Sequence, residues 1–322
     1  MSFSGRRILV TGGAGFIGSH LVDALVSQGA NVTVLDNLST GSKKNLNPNA
    51  TFFCGSVEDP EVVRKSLGDI ELVYHLAADA TTRESSMGWG TPVRTLETNI
   101  IGTLNVLRSI VDLGLETKVV YASSAAVYGE PIFTPVTEDH PTNPISPYGI
   151  SKLAGEKLVI AYFKEFGIDA VAVRIFNTYG PRQPRYVIFE LLKKLQTDRT
   201  RLQVMGTPAV VRDYCYVSDM VEAVMLTATQ GVGGQVYNVS GGTPVTIGHL
   251  VELILAELGM SGKIDVSYTG HSWKGDIMKM EADISKIARL GFRPEISLKE
   301  GLNMMLGSEW WKSLTQSDRN KI

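Results

Sequence analysis

A tyrosine and a lysine four residues apart are the side chains in this sequence best suited to acid–base chemistry. The segment Tyr148-Gly149-Ile150-Ser151-Lys152 opens a stretch of helical periodicity after a Pro-rich loop at residues 141–147. Positions i and i+4 share one face of a helix, so the phenol and the ammonium should lie side by side. A free tyrosine has a pKa of about 10, and a neighbouring ammonium favours its phenolate. We therefore expect Lys152 to lower the pKa of Tyr148 by roughly two to three units, which would suit Tyr148 to proton transfer.

A serine lies where it could share a substrate oxygen with Tyr148. Ser124 closes an apolar run that begins at residue 118. In doubly wound folds, the carboxyl ends of parallel strands carry the groups that contact ligands. Ser124 could therefore donate a hydrogen bond to the alcohol or ketone oxygen that Tyr148 handles. We interpret Ser124, Tyr148 and Lys152 as the catalytic residues.

A glycine-rich segment near the N-terminus has the pattern of a phosphate-binding loop. The motif Thr11-Gly12-Gly13-Ala14-Gly15-Phe16-Ile17-Gly18 follows an apolar run and opens an amphipathic stretch. It fits both a G-x-G-x-x-G spacing and the wider G-x-x-G-x-x-G spacing. Glycines let the backbone approach a pyrophosphate closely, and the first N–H groups of the following helix attract its charge. The strand–loop–helix context predicts dinucleotide binding.

An acidic residue at the end of the second apolar run indicates which dinucleotide binds. Asp36 lies 18 residues beyond Gly18. A carboxylate at this position can accept hydrogen bonds from the adenosine ribose hydroxyls and would repel a 2′-phosphate. The sequence therefore favours NAD over NADP.

Short apolar runs alternate with helical periodicity through the first half of the chain. Strands are predicted at 7–10, 31–35, 51–54, 72–75, 118–122 and 170–174, and helices at 17–28, 61–67, 92–113 and 148–166. This alternation predicts an α/β fold, a doubly wound parallel sheet of the Rossmann type. We expect an NAD-binding domain at residues 1–174 and a smaller C-terminal substrate-binding lobe at 175–322. The two would be interleaved, since residues 236–241 could return to the main sheet.

Composition argues against several other classes of protein. The chain has 322 residues, of which 43 % are hydrophobic and 20 % charged, and this length and composition suit two globular lobes. Its net charge of −2 gives no electrostatic field that would attract nucleic acid or an anionic membrane. Two cysteines cannot build a disulfide framework, and no Cys/His cluster has metal-ligand spacing, so no metal is expected. No apolar run approaches the ~20 residues that span a bilayer. Without the features of a signal peptide, we expect a cytoplasmic protein.

Taken together, these motifs resemble those of the extended short-chain dehydrogenase/reductase family of NAD-dependent nucleotide-sugar epimerases and dehydratases, over nearly the whole chain. Besides the glycine motif and the catalytic triad, the matching segments are 36–41, 75–78, 98–103, 174–177 and 212–214. The resemblance implies that Tyr148 removes a proton from a sugar hydroxyl while NAD takes the hydride, which then returns to the other face of the keto-sugar. It also implies that Lys152 holds the nicotinamide ribose, and that Asn177 and Arg212 bind the substrate diphosphate.

The same resemblance implies a fuller set of binding residues. The implied cofactor contacts are Gly12, Gly15, Phe16, Ile17, Gly18, Asp36, Asn37, Ser39, Thr40, Gly41, Ser56, Val57, Leu76, Ala77, Ala78, Asn99, Ser123, Tyr148 and Lys152. The implied contacts of the nucleotide sugar, most often a UDP-sugar in this family, are Arg83, Ser124, Tyr148, Asn177, Arg185, Arg212, Trp273, Asp276 and Met280. Relatives also pair two long helices into a dimer interface, so a homodimer formed by helices 92–113 and 148–166 is expected.

The two residues after Ser124 distinguish among the reactions of this family. Dehydratases resemble one another in carrying an Asp-Glu pair there, and nucleotide-sugar decarboxylases usually keep the Glu, whereas this chain has Ala125-Ala126. Methyl groups cannot move protons, so the usual means of eliminating water is missing while simple epimerisation is unaffected. The motif best resembles UDP-sugar 4-epimerases. Dehydration, decarboxylation, epimerisation at another carbon and a non-catalytic NAD-binding regulator stay open as alternatives.

Three positions depart from the family pattern. Ser56 stands where many relatives have Asp, although it could still donate to adenine. Trp273 stands where the family commonly has an Arg that grips the diphosphate, so Lys274 or Arg212 would have to supply that charge. Met280 stands where galactose-type epimerases often have a bulky tyrosine, and the thinner side chain would admit a 2-acetamido sugar.

Two arginines lie in a loop near the expected sugar. Arg182 and Arg185 flank Gln183-Pro184. They could receive a C6 carboxylate, as in a glucuronate substrate, or they could be solvated loop residues. The sequence leaves both interpretations open.

Overall fold

A seven-stranded parallel sheet forms the centre of the molecule, and most of its strands are the apolar runs of the sequence. The computed structural model describes residues 2–80, 91–271 and 277–319. Within them the strands are β1 (Arg7–Thr11), β2 (Asn31–Asp36), β3 (Thr51–Cys54), β4 (Leu72–His75), β5 (Lys118–Ser124), β6 (Ala170–Ile175), β7 (Asn177–Tyr179), β8 (Arg201–Val204), β9 (Val211–Tyr216), β10 (Val236–Val239), β11 (Pro244–Thr246) and β12 (Asp265–Tyr268). The order across the main sheet is β10-β6-β5-β4-β1-β2-β3, with every pairing parallel. This is the predicted doubly wound topology.

Helices cover both faces of the sheet. They are α1 (Phe16–Ser27), α2 (Pro60–Leu67), α3 (Pro92–Leu96), α4 (Gly102–Asp112), α5 (Pro147–Phe166), α6 (Val187–Thr197), α7 (Val217–Gln230), α8 (Ile247–Glu257), α9 (Ser285–Ala288), α10 (Leu298–Gly307) and α11 (Glu309–Arg319). Alternate residues of β1 belong to two different apolar cores, Ile8 and Val10 to one and Leu9 to the other. Burial on both faces explains why the strands are continuous apolar runs. Among the helices of the described residues, none is long and apolar enough to cross a membrane.

The helix predicted at 92–113 is the clearest difference from the expected elements. It consists of α3, a π-helical turn at Glu97–Ile101 and α4. A π-helical turn is a rare local widening of a helix that often marks a functional site. Asn99 in this turn is hydrogen-bonded to two neighbouring segments, and helical periodicity does not reveal such contacts.

The second half of the chain builds smaller sheets next to the carboxyl ends of the main strands. A three-stranded sheet has the order β11-β9-β7, and β8 pairs with β12. Val236–Val239, as β10, adds to the main sheet beside β6. Side chains from α7, α8 and α10 belong to the same apolar core as Ile8 and Val10. A division between residues 174 and 175 stays a prediction.

Candidate active site

The glycine loop between β1 and α1 is packed too closely for larger side chains. A Cβ at Gly12 would lie 2.7 Å from the backbone nitrogen of Ala77, and one at Gly18 would overlap the Gly12 carbonyl oxygen. Gly12 also has a φ of 72°, a conformation that disfavours residues with a Cβ. Gly15 precedes α1 without a side-chain capping bond, so the first N–H groups of the helix can meet a pyrophosphate.

Asp36 holds the glycine loop at the carboxyl end of β2. Its Oδ2 accepts a hydrogen bond from the Ala14 backbone at 3.0 Å, and its Oδ1 accepts one from the Leu38 backbone at 2.7 Å. A carboxylate has about four lone-pair sites, so two ribose hydroxyls can still be accepted beside these amides. The glycine loop and Asp36 therefore fit an adenosine ribose and its pyrophosphate, as NAD requires.

We expect Asp36→Ala to weaken NAD binding by about ten- to a hundredfold, because each lost bond to a charged acceptor costs about 1.5–3 kcal/mol. Without the Asp36 carboxylate, which repels a 2′-phosphate, the site should also discriminate less against NADP. Titration calorimetry with both dinucleotides measures the two effects. The control is Asp112→Ala, an exposed carboxylate at the C-terminal end of α4. Unchanged NAD affinity in Asp36→Ala would contradict the assignment.

Other predicted cofactor residues lie at the same edge of the sheet. They follow β2 (Asn37, Ser39, Thr40, Gly41), β3 (Ser56, Val57) and β4 (Leu76, Ala77, Ala78). The Ala77 backbone donates to Thr11 Oγ1 at 3.1 Å, and a Cβ at Gly41 would lie 3.0 Å from Ala14. These contacts bring the loops after β2 and β4 against the glycine loop. Their contact with NAD stays a prediction.

Asn99 uses its side chain to connect two segments of the protein. Its Oδ1 accepts a hydrogen bond from the Asp79 backbone at 2.7 Å, and its Nδ2 donates to the Asp79 carbonyl at 3.1 Å and to Ser151 Oγ at 2.8 Å. Ser151 Oγ in turn donates to the Tyr148 carbonyl at 2.8 Å. Asn99 thereby ties the loop after β4 to the first turn of α5, and its predicted contact with NAD stays untested.

Ser124, Tyr148 and Lys152 meet where the end of β5 faces the first turns of α5. Ser146 caps α5 by accepting a hydrogen bond from the Gly149 backbone at 3.1 Å. The Ser124 side chain lies next to the Tyr148 phenol and acts to lower its pKa. Lys152 Nζ lies 6.0 Å from the centre of the Tyr148 ring and donates to the Ala122 carbonyl at 2.7 Å. The predicted adjacency of phenol and ammonium is confirmed.

The expected lowering of the Tyr148 pKa is wrong. Burial, with a smaller contribution from the Tyr186 phenol, raises the pKa of Tyr148 to about 12, against the opposing effects of Ser124 and Arg185. Burial also lowers the pKa of Lys152 to about 7. The spacing of two residues on a helix shows that they are adjacent but not how deeply they are buried, and burial disfavours both the phenolate and the ammonium.

One arginine of the predicted loop pair acts electrostatically on the triad, and the other forms an ion pair with Asp23. The Arg185 charge acts on the Tyr148 phenol, and its guanidinium lies 5.3 Å from the centre of the Tyr186 ring. Arg182 Nη1 instead lies 2.8 Å from Asp23 Oδ2. Arg182 and Tyr186 have φ values of 68° and 74°, which are uncommon for residues other than glycine. The structure therefore separates the roles of the two arginines.

The remaining predicted substrate residues lie on adjoining segments of the second half. Asn177 begins β7, which pairs with β9, the strand that carries Arg212. The Met280 backbone donates to the Val211 carbonyl at 3.2 Å, and the Met280 side chain is buried. Arg83, Trp273 and Asp276 lie outside the described residues.

Two residues close to the triad were missed by the sequence analysis. Tyr186 affects the Tyr148 pKa, and its position follows from a loop conformation that its sequence did not reveal. Glu156 is fully buried one helical turn beyond Lys152. The spacing Tyr148, Lys152, Glu156 repeats every four residues on one helix face and was the available signal for Glu156.

Comparison with known proteins agrees with this site. Residues 8–240 match the model of the NAD dependent epimerase/dehydratase family. The chain is 36 % identical over 312 residues to a putative UDP-glucose 4-epimerase of Methanocaldococcus jannaschii, covering 95 % of this chain and 98 % of that protein. It is 36 % identical over 324 residues to UDP-glucuronic acid decarboxylase 6 of Arabidopsis thaliana, covering 94 % and 88 % of the two chains.

A solved structure extends the similarity to three dimensions. The UDP-glucose 4-epimerase of Thermotoga maritima, solved with UDP-glucose, superposes with a TM-score of 0.87 at 35 % identity and covers 96 % of this chain and 99 % of its own. The glycine loop, Asp36 and the adjacent phenol and ammonium are thus found in a chain that matches this family over nearly its whole length. The chain belongs to the NAD-dependent epimerase/dehydratase family and is an NAD-dependent enzyme of nucleotide-sugar chemistry.

Proposed function

We propose that the enzyme is a UDP-sugar 4-epimerase, which oxidises the sugar at C4 and reduces it again on the opposite face. The observation that carries this proposal is the short 3-10 turn directly after Ser124, formed by Ala125–Val127. Eliminating water requires groups that move protons at C5 and at the C6 hydroxyl, and the methyl groups of Ala125 and Ala126 cannot do so. The triad beside them is suited to oxidation and reduction of one hydroxyl.

The proposed roles follow from the positions of the three side chains. Bound NAD would supply the hydride acceptor and donor. Ser124 would hold the C4 hydroxyl by a hydrogen bond, and Tyr148 would take the proton of that hydroxyl on its phenol oxygen and later return it. Lys152 Nζ lies 6.0 Å from the centre of the Tyr148 ring, and in its charged form it would favour the phenolate against the effect of burial. The oxidised sugar must turn its other face before reduction for the configuration to invert.

A panel of nucleotide sugars, with products followed by proton NMR, tests the proposal. Epimerisation at C4 would leave the mass unchanged and alter the ring couplings at C4. Loss of water would indicate a dehydratase, loss of carbon dioxide a decarboxylase, and altered couplings at another carbon a different epimerase. A protein that binds NAD but converts none of the sugars would be a regulator rather than an enzyme of this reaction.

The substrate diphosphate is proposed to contact Asn177 of β7 and Arg212 of β9. Asn177 and Arg212 stand on these neighbouring strands. The planar guanidinium of an arginine can donate two parallel hydrogen bonds to phosphate oxygens.

A carboxylated sugar is a second candidate substrate, because the Arg185 charge acts on Tyr148 and a UDP-glucuronic acid decarboxylase is among the relatives. We expect Arg185→Ala to lower kcat/KM for UDP-glucuronate by about a hundredfold through the loss of charge-assisted hydrogen bonds. UDP-glucose turnover should change little. Arg182→Ala is the matched control, since Arg182 pairs with Asp23 in the same loop. Equal losses on both sugars would exclude a carboxylate-specific role.

The buried Met280 is proposed to leave room for a 2-acetamido group. Met280 packs with Tyr128 and Phe176 in a small apolar cluster, and its unbranched side chain adapts to different neighbours. We expect UDP-N-acetylglucosamine to turn over within about a hundredfold of UDP-glucose, a range that one pocket side chain can decide. A larger preference for UDP-glucose in steady-state kinetics would contradict the roomier pocket.

The oligomer and the compartment are also proposals. Val93 and Ile101, on the segment that includes α3 and α4, and Ile150 on α5 expose 66 %, 45 % and 49 % of their surface. We propose that these helices pair with those of a second copy in a homodimer. Both Cys54 and Cys215 are free thiols, which suits a reducing cytoplasm.

A further inference from the structure

A buried ion pair lies directly behind the proposed catalytic residues. Arg174 of β6 donates to Glu156 of α5 through two bonds, Nε to Oε2 at 3.0 Å and Nη2 to Oε1 at 2.6 Å. The two residues are only 3 % and 0 % exposed. Ser123 Oγ adds a third donor to Glu156 Oε2 at 2.8 Å. The carboxylate of Glu156 is therefore held from two strands at once.

These contacts attach α5 to the end of β5 at three successive helical turns. Tyr148 lies next to Ser124, which acts on its phenol. One turn later, Lys152 Nζ donates to the Ala122 carbonyl at 2.7 Å. One turn later again, Glu156 accepts from Ser123. Three residues of α5 at intervals of four thus contact three consecutive residues of β5, and two of these contacts involve the proposed catalytic side chains.

Arg174 is also hydrogen-bonded to two residues of the segment between β5 and α5. Its Nη1 donates to Tyr128 Oη at 2.8 Å and to the Glu138 carbonyl at 3.0 Å. Tyr128 Oη donates to Asn238 Oδ1 at 2.6 Å, which fixes the phenol against β10. Each residue of the pair is thus hydrogen-bonded to more than one segment of the fold.

Stability alone is a weak explanation for such a pair. Replacing a buried ion pair by apolar residues of similar volume is often neutral or stabilising, because desolvation offsets the attraction. Two parallel hydrogen bonds between an arginine and a carboxylate also fix the relative orientation of the two side chains. Misplacement of reacting groups by about 1 Å can cost a hundredfold in rate.

We infer that Glu156 and Arg174 are positioning residues, which fix α5 on β5 so that Ser124, Tyr148 and Lys152 keep their mutual geometry. Neither residue touches the substrate, and both act through the triad. The inference rests on the proposed role of the triad as the catalytic group of this enzyme.

The test compares two double variants with the whole NAD-containing enzyme. Glu156→Leu/Arg174→Met removes both charges and the acceptor for Ser123, whereas Glu156→Gln/Arg174→Met removes the charges but keeps an acceptor. We expect kcat of the Leu/Met variant to fall by about thirtyfold or more, while KM stays within about threefold of wild type. The kcat of the Gln/Met variant should be at least about fivefold higher than that of the Leu/Met variant. Thermal unfolding and NAD content confirm that each variant is folded and loaded.

Asp169→Asn is the matched control. Asp169 pairs with Lys118 at 3.1 Å, at the opposite ends of the same two strands. This variant should keep wild-type kcat. If Glu156→Leu/Arg174→Met does not fold, Arg174→Lys replaces it, because a lysine keeps the charge but loses the planar fork, and about a tenfold loss in kcat is expected.

Several results would overturn the inference. They are a kcat within about threefold of wild type in a folded Leu/Met variant, equal losses in both double variants, a loss confined to KM, and wild-type kcat in Arg174→Lys. Kinetics are measured with whichever nucleotide sugar the wild-type enzyme converts. The identity of the wild-type product then decides the proposed function, and the ratio of variant to wild type decides the role of the ion pair.

Discussion

Tyr148→Phe is expected to lower kcat by about a thousandfold, because it removes the phenol that carries the substrate proton and leaves the ring in place. KM and the NAD content should stay near their wild-type values, since the substitution removes only the hydroxyl next to Ser124 and keeps the ring. Steady-state kinetics with the best nucleotide sugar give both parameters.

Tyr162→Phe provides the matched control for this variant. Tyr162 lies on the same helix and stacks on Phe166 at 4.9 Å, several turns from the triad. Removal of the Tyr162 hydroxyl should leave kcat unchanged. A Tyr148→Phe variant that kept more than about a tenth of wild-type kcat would rule out Tyr148 as the proton-transfer group.

Lys152→Met is expected to abolish most of the activity and to stabilise the protein freed of NAD. Burial lowers the pKa of Lys152 from 10.5 to about 7, so between these values the unfolded chain binds a proton that the folded protein does not. This group therefore contributes less stability as the pH falls from 10.5 to 7, and methionine avoids that loss. We expect a gain of about 2 to 4 kcal/mol at pH 7, after allowing for the bond to Ala122, and a fall in kcat of at least about a hundredfold.

Urea unfolding at two pH values tests the stability part of this prediction. The difference in free energy of unfolding between Lys152→Met and wild type should be largest near pH 7. It should shrink as the pH rises toward 10, because Lys152 is already neutral in the folded protein and the unfolded chain then gains less from binding a proton. Lys157→Met, an exposed position on the same helix, should show no such pH dependence. An advantage that did not change with pH would mean that burial of the charge is not its cause.

Much of the fold could be predicted because its strands are short apolar runs between amphipathic stretches. The predicted strand bounds agree with β1 to β6 within two residues, and Val236–Val239 joins the sheet as expected. Local patterns suffice there, since burial on both faces of a parallel sheet leaves a continuous apolar signal in each strand.

The features that the sequence did not predict depend on contacts between distant segments. Asn99 lies in a π-helical turn and bonds to Asp79 and Ser151, and neither the turn nor its partners can be predicted from helical periodicity. The direction of the Tyr148 pKa depends on burial, which the spacing to Lys152 does not report. The bonds from Glu156 to Ser123 and Arg174 require the pairing of β5 with β6, so they became apparent only in the folded chain.

The fate of the hydrogen at C4 tests transient oxidation at that carbon most directly. A UDP-sugar labelled with deuterium at C4 is incubated with the enzyme in ordinary water, and the product is examined by NMR and mass spectrometry. Hydride removal and return within one active site predicts a product of unchanged mass, inverted at C4, that keeps its deuterium at C4. Exchange of the label with solvent, inversion at a different carbon, or a product lighter by water or carbon dioxide would contradict 4-epimerisation by this route.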